Sequence, residues 1–248
     1  ISCISDVKTF DELVEGIKEL KEKGFIKTHR TGDTGIGKAL EDLLGVDENN
    51  FPGPDGQDTE LKSARKNSSS MLTLFTKSPL PIGVNSKLRL EYGYPDEKFS
   101  DKPVLRTTIN SLDFNTVKGK KGFMLVSKND RIEIALPRKP QQFPEMQNPF
   151  WPKEEFEKSI KKKYKKSLLY VKADSKGTGL NEKFHYNEAY LLEGFDFKTF
   201  SKNIQKGILK VDIRLGLYND GRFHDHGTGI RINPSLLDLI FSKRKRVV

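Results

Sequence analysis

Apolar positions near the start of the chain recur at helical spacing. Phe10, Leu13, Val14, Ile17 and Leu20 fall three or four residues apart, Thr9 with Glu12 forms a capping box, and Gly24 stops the run, which predicts an amphipathic helix. Beyond the glycine-punctuated stretch Thr31-Gly32-Asp33-Thr34-Gly35, a second apolar face of Ile36, Ala39, Leu40, Leu43 and Leu44 runs to Gly45 and predicts a short helix carrying Glu41 and Asp42. The period then falls to two. Pro52, Gly53, Pro54 and Gly56 crowd into a turn, Thr59 to Ser63 alternates like a strand leaving it, and Met71 to Thr76 reads as another strand. Residues 78–103, rich in Pro, Gly and Ser, read as a long surface loop and a candidate substrate clamp. Further strands are expected at 104–112, 122–127, 131–136, 167–173, 183–192 and 208–214, with a helix at 197–206. A closing helix is capped by Asn233, has Pro234 in its first turn and buries Leu236, Leu237, Leu239 and Ile240. Helices first and strands later give a mixed α/β (α+β) chain with no internal repeat.

Composition sharpens this picture. The 248 residues carry 44 Lys/Arg against 34 Asp/Glu, a net charge of +10. No apolar run approaches the ~18 residues of a membrane span, so a membrane partner is excluded, and the basic balance points to a polyanion, nucleic acid first. The charge is uneven: residues 1–100 hold 14 Lys/Arg against 17 Asp/Glu, a net of −3, and residues 101–248 hold 30 against 17, a net of +13. Carboxylates gathered early for chemistry and cations gathered later for grip is the reading this favours. A single cysteine, Cys3, has no internal disulfide partner and, with the lack of a charged-then-apolar leader, leads to the expectation of a reducing, cytoplasmic setting. The first residue is Ile rather than Met, as expected of a chain that lacks its natural start.

The sharpest motif is Pro54-Asp55-Gly56-Gln57-Asp58-Thr59-Glu60-Leu61-Lys62. Glu60 and Lys62 lie two apart on the expected strand and project from one face, and Asp55 enters from the turn, so two carboxylates and an ammonium converge. Carboxylates of this kind hold Mg²⁺, and a nearby Lys can orient or deprotonate a water for phosphodiester hydrolysis. A solvated Glu/Lys pair is the bland alternative. Glu41 is a fourth candidate, from its helix. Gly32 to Ala39 imitates a phosphate-binding loop, but Ala39 stands where the metal-binding hydroxyl must be, and nucleotide binding is rejected there.

His224-Asp225-His226 lacks a third convergent metal ligand in sequence, and with Asp212, Arg214, Arg222 and Arg231 nearby it fits base-edge readout better, salt bridging within a hairpin being the alternative. The runs Lys161-Lys162-Lys163-Tyr164-Lys165-Lys166 and Lys243-Arg244-Lys245-Arg246 read as solvated surface or tail, or as phosphate contacts without sequence information. Trp151 and Phe150 between prolines read as a loop anchored to the core.

These strings, in order, resemble a known family. Thr34 to Lys38 with Glu41 to Leu44, Pro54-Asp55 with Glu60-Leu61-Lys62, Leu72 to Pro79, Lys210 to Arg214, and His224 to Thr228 with Arg231-Ile232-Asn233 closely resemble the MvaI/BcnI restriction endonucleases, relatives of the mismatch-repair nickase MutH. The resemblance implies a restriction-endonuclease-like PD-(D/E)xK core with a strand-rich DNA-recognition lobe, residues 1–110 mainly catalytic and 111–248 mainly recognition, with some segments returning to the core. It implies Asp55, Glu60 and Lys62 as the catalytic core with Glu41 in support, and Asp55 and Glu60 as ligands of Mg²⁺. Asp212, Arg214, His224, His226 and Arg231 would read base edges of a short CC-x-GG-like site in double-stranded DNA. The implied enzyme is a type II restriction endonuclease acting as a monomer that nicks each strand in turn, with a companion DNA methyltransferase. A MutH-like nickase and a nonenzymatic DNA-binding module are the alternatives.

Overall fold

In the computed structural model, which describes residues 7–32, 34–46 and 54–248, Thr9 opens the first helix through the expected capping box. Its hydroxyl accepts from the Glu12 amide at 3.3 Å, and the Glu12 carboxylate accepts from the Thr9 amide at 2.7 Å. The helix Phe10–Lys23 buries Leu13, Ile17 and Leu20. The second, Gly35–Leu44, buries Ile36, Ala39, Leu40 and Leu44 and ends at Gly45, whose φ of 67° suits a residue without a side chain. Leu43, expected on the buried face, is 42% exposed. Gly16 of the first helix lets the Leu44 side chain close in, where a Cβ would come within 2.6 Å, and the same missing side chain leaves Leu43 lining an open groove. Cys3, Asp33 and residues 51–53 of the proline–glycine turn lie outside the described residues.

Both helices pack on a mixed sheet. The strand Thr59–Arg65 runs parallel to Ser167–Lys176, which pairs antiparallel with Lys183–Glu193, and Ile26–Lys27 and Lys243–Arg246 both pair with that third strand. Leu61, Leu169, Val171, Ala173, Phe184, Tyr186 and Ala189 join the helices in one core. The Tyr186 hydroxyl donates to the Ile36 carbonyl at 2.9 Å. Strand alternation turns Glu60 and Lys62 to the other face.

A parallel pair needs a crossover, and the chain spends residues 71–158 on this one, far more than the dozen or so residues a helix would need. The result is two compact units. One holds the described residues up to Ser70 with Ser159–Asp196 and Pro234–Val248; the other holds Met71–Lys158 and Phe197–Asn233. In the second unit the strands Leu72–Thr76, Gly229–Ile232, Lys210–Leu217, Pro103–Ile109 and Tyr94–Pro95 lie in that order, Phe223–Asp225 pairs with Lys210–Leu217, and a smaller sheet combines Phe150–Pro152, Arg131–Ala135 and Met124–Ser127. Trp151 is buried and its indole donates to the Lys77 carbonyl at 2.9 Å, so it is anchored in the core as expected, though on a strand rather than a loop.

Three expectations are corrected. Residues 78–103 are not one loop: they carry the helix Val84–Tyr92, whose bounding Gly83 and Gly93 and nearby prolines obscured the buried Val84 and Leu88. The closing helix is a 3-10 segment, Pro234–Leu239, in which Leu237 is buried but Leu239 is 51% exposed, because about three residues per turn cannot bring all four expected positions to one side. The run Lys243–Arg246 is a paired strand rather than a tail. A helix that the sequence reading missed, Lys153–Lys163, buries Phe156 and Ile160 among charged neighbours.

Candidate functional site

In the first unit, the turn before the catalytic-candidate strand is fixed by Asp55, whose carboxylate accepts the Leu61 backbone amide at 2.9 Å. This fold-back brings Asp55 alongside Glu60 and Lys62. The Lys62 ammonium donates to Glu60 Oε1 and lies 4.0 Å from Asp55 Oδ2. A second cation reaches the same oxygen: Lys163 Nζ lies 3.1 Å from Glu60 Oε1. The Glu60 side chain is fully buried, and its Oε2 has no hydrogen-bond partner among the described residues.

Burial pushes the Glu60 carboxyl up to about 7, with the Asp55 charge adding to the rise and Lys62 and Lys163 opposing it. For Lys62, burial pulls the ammonium down, and the charges of Glu60 and Asp55, with Glu41 behind them, outweigh it and hold the group above its ordinary range. Glu41 therefore belongs to the same electrostatic neighbourhood. Tyr164 sits beside this cluster: burial first, then the Glu60 and Asp55 charges, raise its hydroxyl well above the usual value.

An orphaned, buried carboxylate oxygen costs free energy unless something cationic meets it. Glu60 Oε2 beside Asp55 is a donor pair of the hard-oxygen type that suits Mg²⁺. No group of three or more His, Cys, Asp or Glu side chains placed to hold a metal occurs among the described residues. The lysine run, expected as solvated surface or phosphate grip, departs from that reading at Lys163, which is partly buried and reaches Glu60; Lys165 and Lys166 are exposed, as expected, and pair with Asp58, the first at 2.7 Å. The signal that could have revealed this is Tyr164, an aromatic inside a lysine run.

In the second unit Asp212, Arg214, His224 and Arg231 lie on neighbouring strands, and His226 follows directly after the strand of His224. Asp212 and Arg231 are spent on each other: Arg231 Nη1 donates to Asp212 Oδ2 at 2.7 Å, Thr108 donates to Asp212 Oδ1 at 2.5 Å, and Arg231 Nη2 donates to the Met71 carbonyl. Asp212 is buried. Arg214 donates to the carbonyls of His226 at 3.0 Å and Gly227 at 3.2 Å, which leaves further N–H groups of its guanidinium uncommitted. His224 lies over Tyr218 with ring centroids 4.1 Å apart and meets His226 edge-on at 3.9 Å. Desolvation, then the nearby His224, Arg106 and Arg214, hold His226 below its ordinary value, so its ring is neutral at pH 7 and both accepts and donates. Asp225, between the histidines, is structural: it accepts from Asn85 and from the Gly227 amide, each at 2.8 Å.

The comparisons with known proteins agree with one another. The family model described as "MvaI/BcnI restriction endonuclease family" matches residues 14–241. A solved complex of the restriction endonuclease MvaI with its cognate DNA substrate is 32% identical over 96% of this chain and 98% of that one, with a TM-score of 0.83. MvaI in the absence of DNA is 30% identical over 100% of both chains, with a TM-score of 0.57. Among curated proteins nothing matches the chain. The mixed α+β architecture is thus the restriction-endonuclease-like fold that the sequence led us to expect. With its model match over nearly the whole length and this likeness to MvaI, the chain belongs to the MvaI/BcnI restriction endonuclease family, whose members are site-specific deoxyribonucleases.

Proposed function

We propose that this protein is a type II restriction endonuclease that hydrolyses phosphodiester bonds of double-stranded DNA at a short CC-x-GG-like site with Mg²⁺, as a monomer that nicks the strands in turn, and that a companion methyltransferase protects the host DNA. The observation that carries the catalytic part is the convergence of Asp55, Glu60 and Lys62 around an orphaned carboxylate oxygen. Asp55 and Glu60 hold the metal. When bound, Mg²⁺ polarises a phosphoryl oxygen and lowers the pKa of a coordinated water.

The chain's own groups do the rest. Asp55 is pinned by the Leu61 amide, so its free oxygen is presented in a fixed direction. Lys62, held cationic by its carboxylate neighbours, orients the attacking water and offsets charge that develops on the phosphate. Lys163 keeps the Glu60 carboxylate in register. In the second unit, Arg214, His224 and His226 read base edges, Arg being the bidentate match to guanine. The Asp212–Arg231 pair supports the sheet beneath them, a role different from the direct reading expected of it.

The test is incubation with phage DNA and supercoiled plasmid in the presence of Mg²⁺. Discrete fragments that vanish with Lys62→Ala support the proposal. Plasmid that stops at open circle identifies a nickase, and intact DNA with every divalent metal overturns the assignment.

A further inference from the structure

The helix Val84–Tyr92, hidden in what the sequence presented as a loop, holds two pieces of chain at once. On one side, Asn85 donates to Asp225 at 2.8 Å and to Thr228 at 3.3 Å, and the Arg89 guanidinium lies 4.4 Å from the Phe223 ring centroid, so these residues brace the hairpin that carries His224 and His226. On the other side, Lys87 pairs with Glu145 at 2.7 Å, and Glu91 grips the segment 138–142. Positions 85 and 89 face about 200° away from 87 and 91 at 100° per residue, so the hairpin and the segment flank one helix.

The grip is unusually complete. Glu91, its side chain only 1% exposed, accepts from Arg138 Nη1 at 2.6 Å and from the backbone amides of Gln141 at 2.8 Å and Gln142 at 2.7 Å. Tyr92 donates from its hydroxyl to the Arg138 carbonyl at 2.8 Å, and the guanidinium of Arg138 lies over the Tyr92 ring. A buried carboxylate is thus used to immobilise an exposed segment. What the segment displays is Lys139 and the side chains of Gln141 and Gln142, all exposed, and neither glutamine amide has a partner among the described residues. Ordering such side chains in advance removes part of the entropy cost of binding. A carboxamide presents a donor and an acceptor side by side, the bidentate match to the N6 and N7 edge of adenine.

We propose that residues 138–142 are a second base-reading element, with Gln141 and Gln142 contacting an A·T pair in or beside the cleaved site and Glu91 as the positioning residue that holds them. This inference rests on the restriction-endonuclease reading. The experiment uses the full chain and a panel of duplexes in which each base pair of the mapped site and its flanks is replaced in turn. At least one of Gln141→Ala and Gln142→Ala is expected to lose about 10–100-fold in kcat/KM on the preferred duplex and to lose its preference at one A·T pair. Glu91→Gln is expected to blunt the same pair through KM rather than kcat, with faster hydrogen exchange at amides 141 and 142. Unchanged profiles in both glutamine variants, or a loss uniform across the panel as a phosphate contact would give, overturn the inference while leaving the nuclease reading intact. A wild-type chain that cuts no duplex overturns both.

Discussion

Two buried carboxylates, one in each unit, show how differently the protein treats charge. Glu60 of the first unit shares one oxygen with two lysines and leaves the other without a partner, and burial drives its carboxyl up to about 7. Glu91 of the second unit is just as enclosed, yet the Gln141 and Gln142 amides and Arg138 use both of its oxygens, and these bonds outweigh burial and hold it below the ordinary carboxylate range. Asp212 likewise has both oxygens bonded, Thr108 on one and Arg231 on the other. Satisfied carboxylates fix surfaces in place; the unsatisfied one is the group proposed above to meet a metal. Stability given up at one position and function gained there is the usual trade at an active site.

The comparison is open to direct attack. Its largest expected consequence is at Glu60→Gln: the cleavage rate should fall by about 10⁴-fold, the upper end of what one positioned catalytic group contributes. Single-turnover cleavage checks this, and equal activity would contradict the role. Next is Arg231→Ala. Leaving Asp212 buried and unpaired should cost about 3–5 kcal/mol of unfolding free energy, read by urea titration. A variant of full stability that has lost discrimination at one G·C pair would restore Arg231 as a base reader. Arg214→Ala is expected to be milder, about 1–3 kcal/mol of binding with blunted discrimination at one base pair and little change in stability, measured by binding titration on substituted duplexes.

The most delicate contrast is in pH. Glu60 has a folded pKa above its unfolded one, so its contribution to the metal-free protein is present at acid pH and is lost as pH rises through about 7. Glu91 has a lowered folded pKa, so its contribution is present at neutral pH and is lost as pH falls below the usual carboxylate range. Wild-type Tm minus that of Glu60→Gln should therefore fall between pH 5 and 8, whereas the same difference for Glu91→Gln should fall between pH 5 and 3. Slopes of the same sign would erase the distinction between the two carboxylates.

Much of this molecule is legible along the chain. The capping box at Thr9 and Glu12, the 3.6-residue face of the second helix and the two-residue alternation from Thr59 are local rules, and they place Glu60 and Lys62 on one face without reference to anything distant. Other features were missed because local signals misled. Gly83 and Gly93 made a helix look like a loop, charged residues hid the periodicity of Lys153–Lys163, and Lys163 gave no sign that it turns inward to Glu60.

The sequence by itself determined which groups meet within a few residues of one another, since strand geometry fixes the Glu60–Lys62 pair and a tight turn supplies Asp55. Only the tertiary structure decided which of those groups are satisfied. Whether Arg231 is a reader or a strut depends on Asp212, nineteen positions away, and on the Met71 carbonyl, 160 away. Whether Glu60 is orphaned depends on how deeply the sheet buries it. Hydrogen-bond satisfaction and desolvation are properties of the whole surroundings of an atom, and the chain order of its neighbours does not encode them.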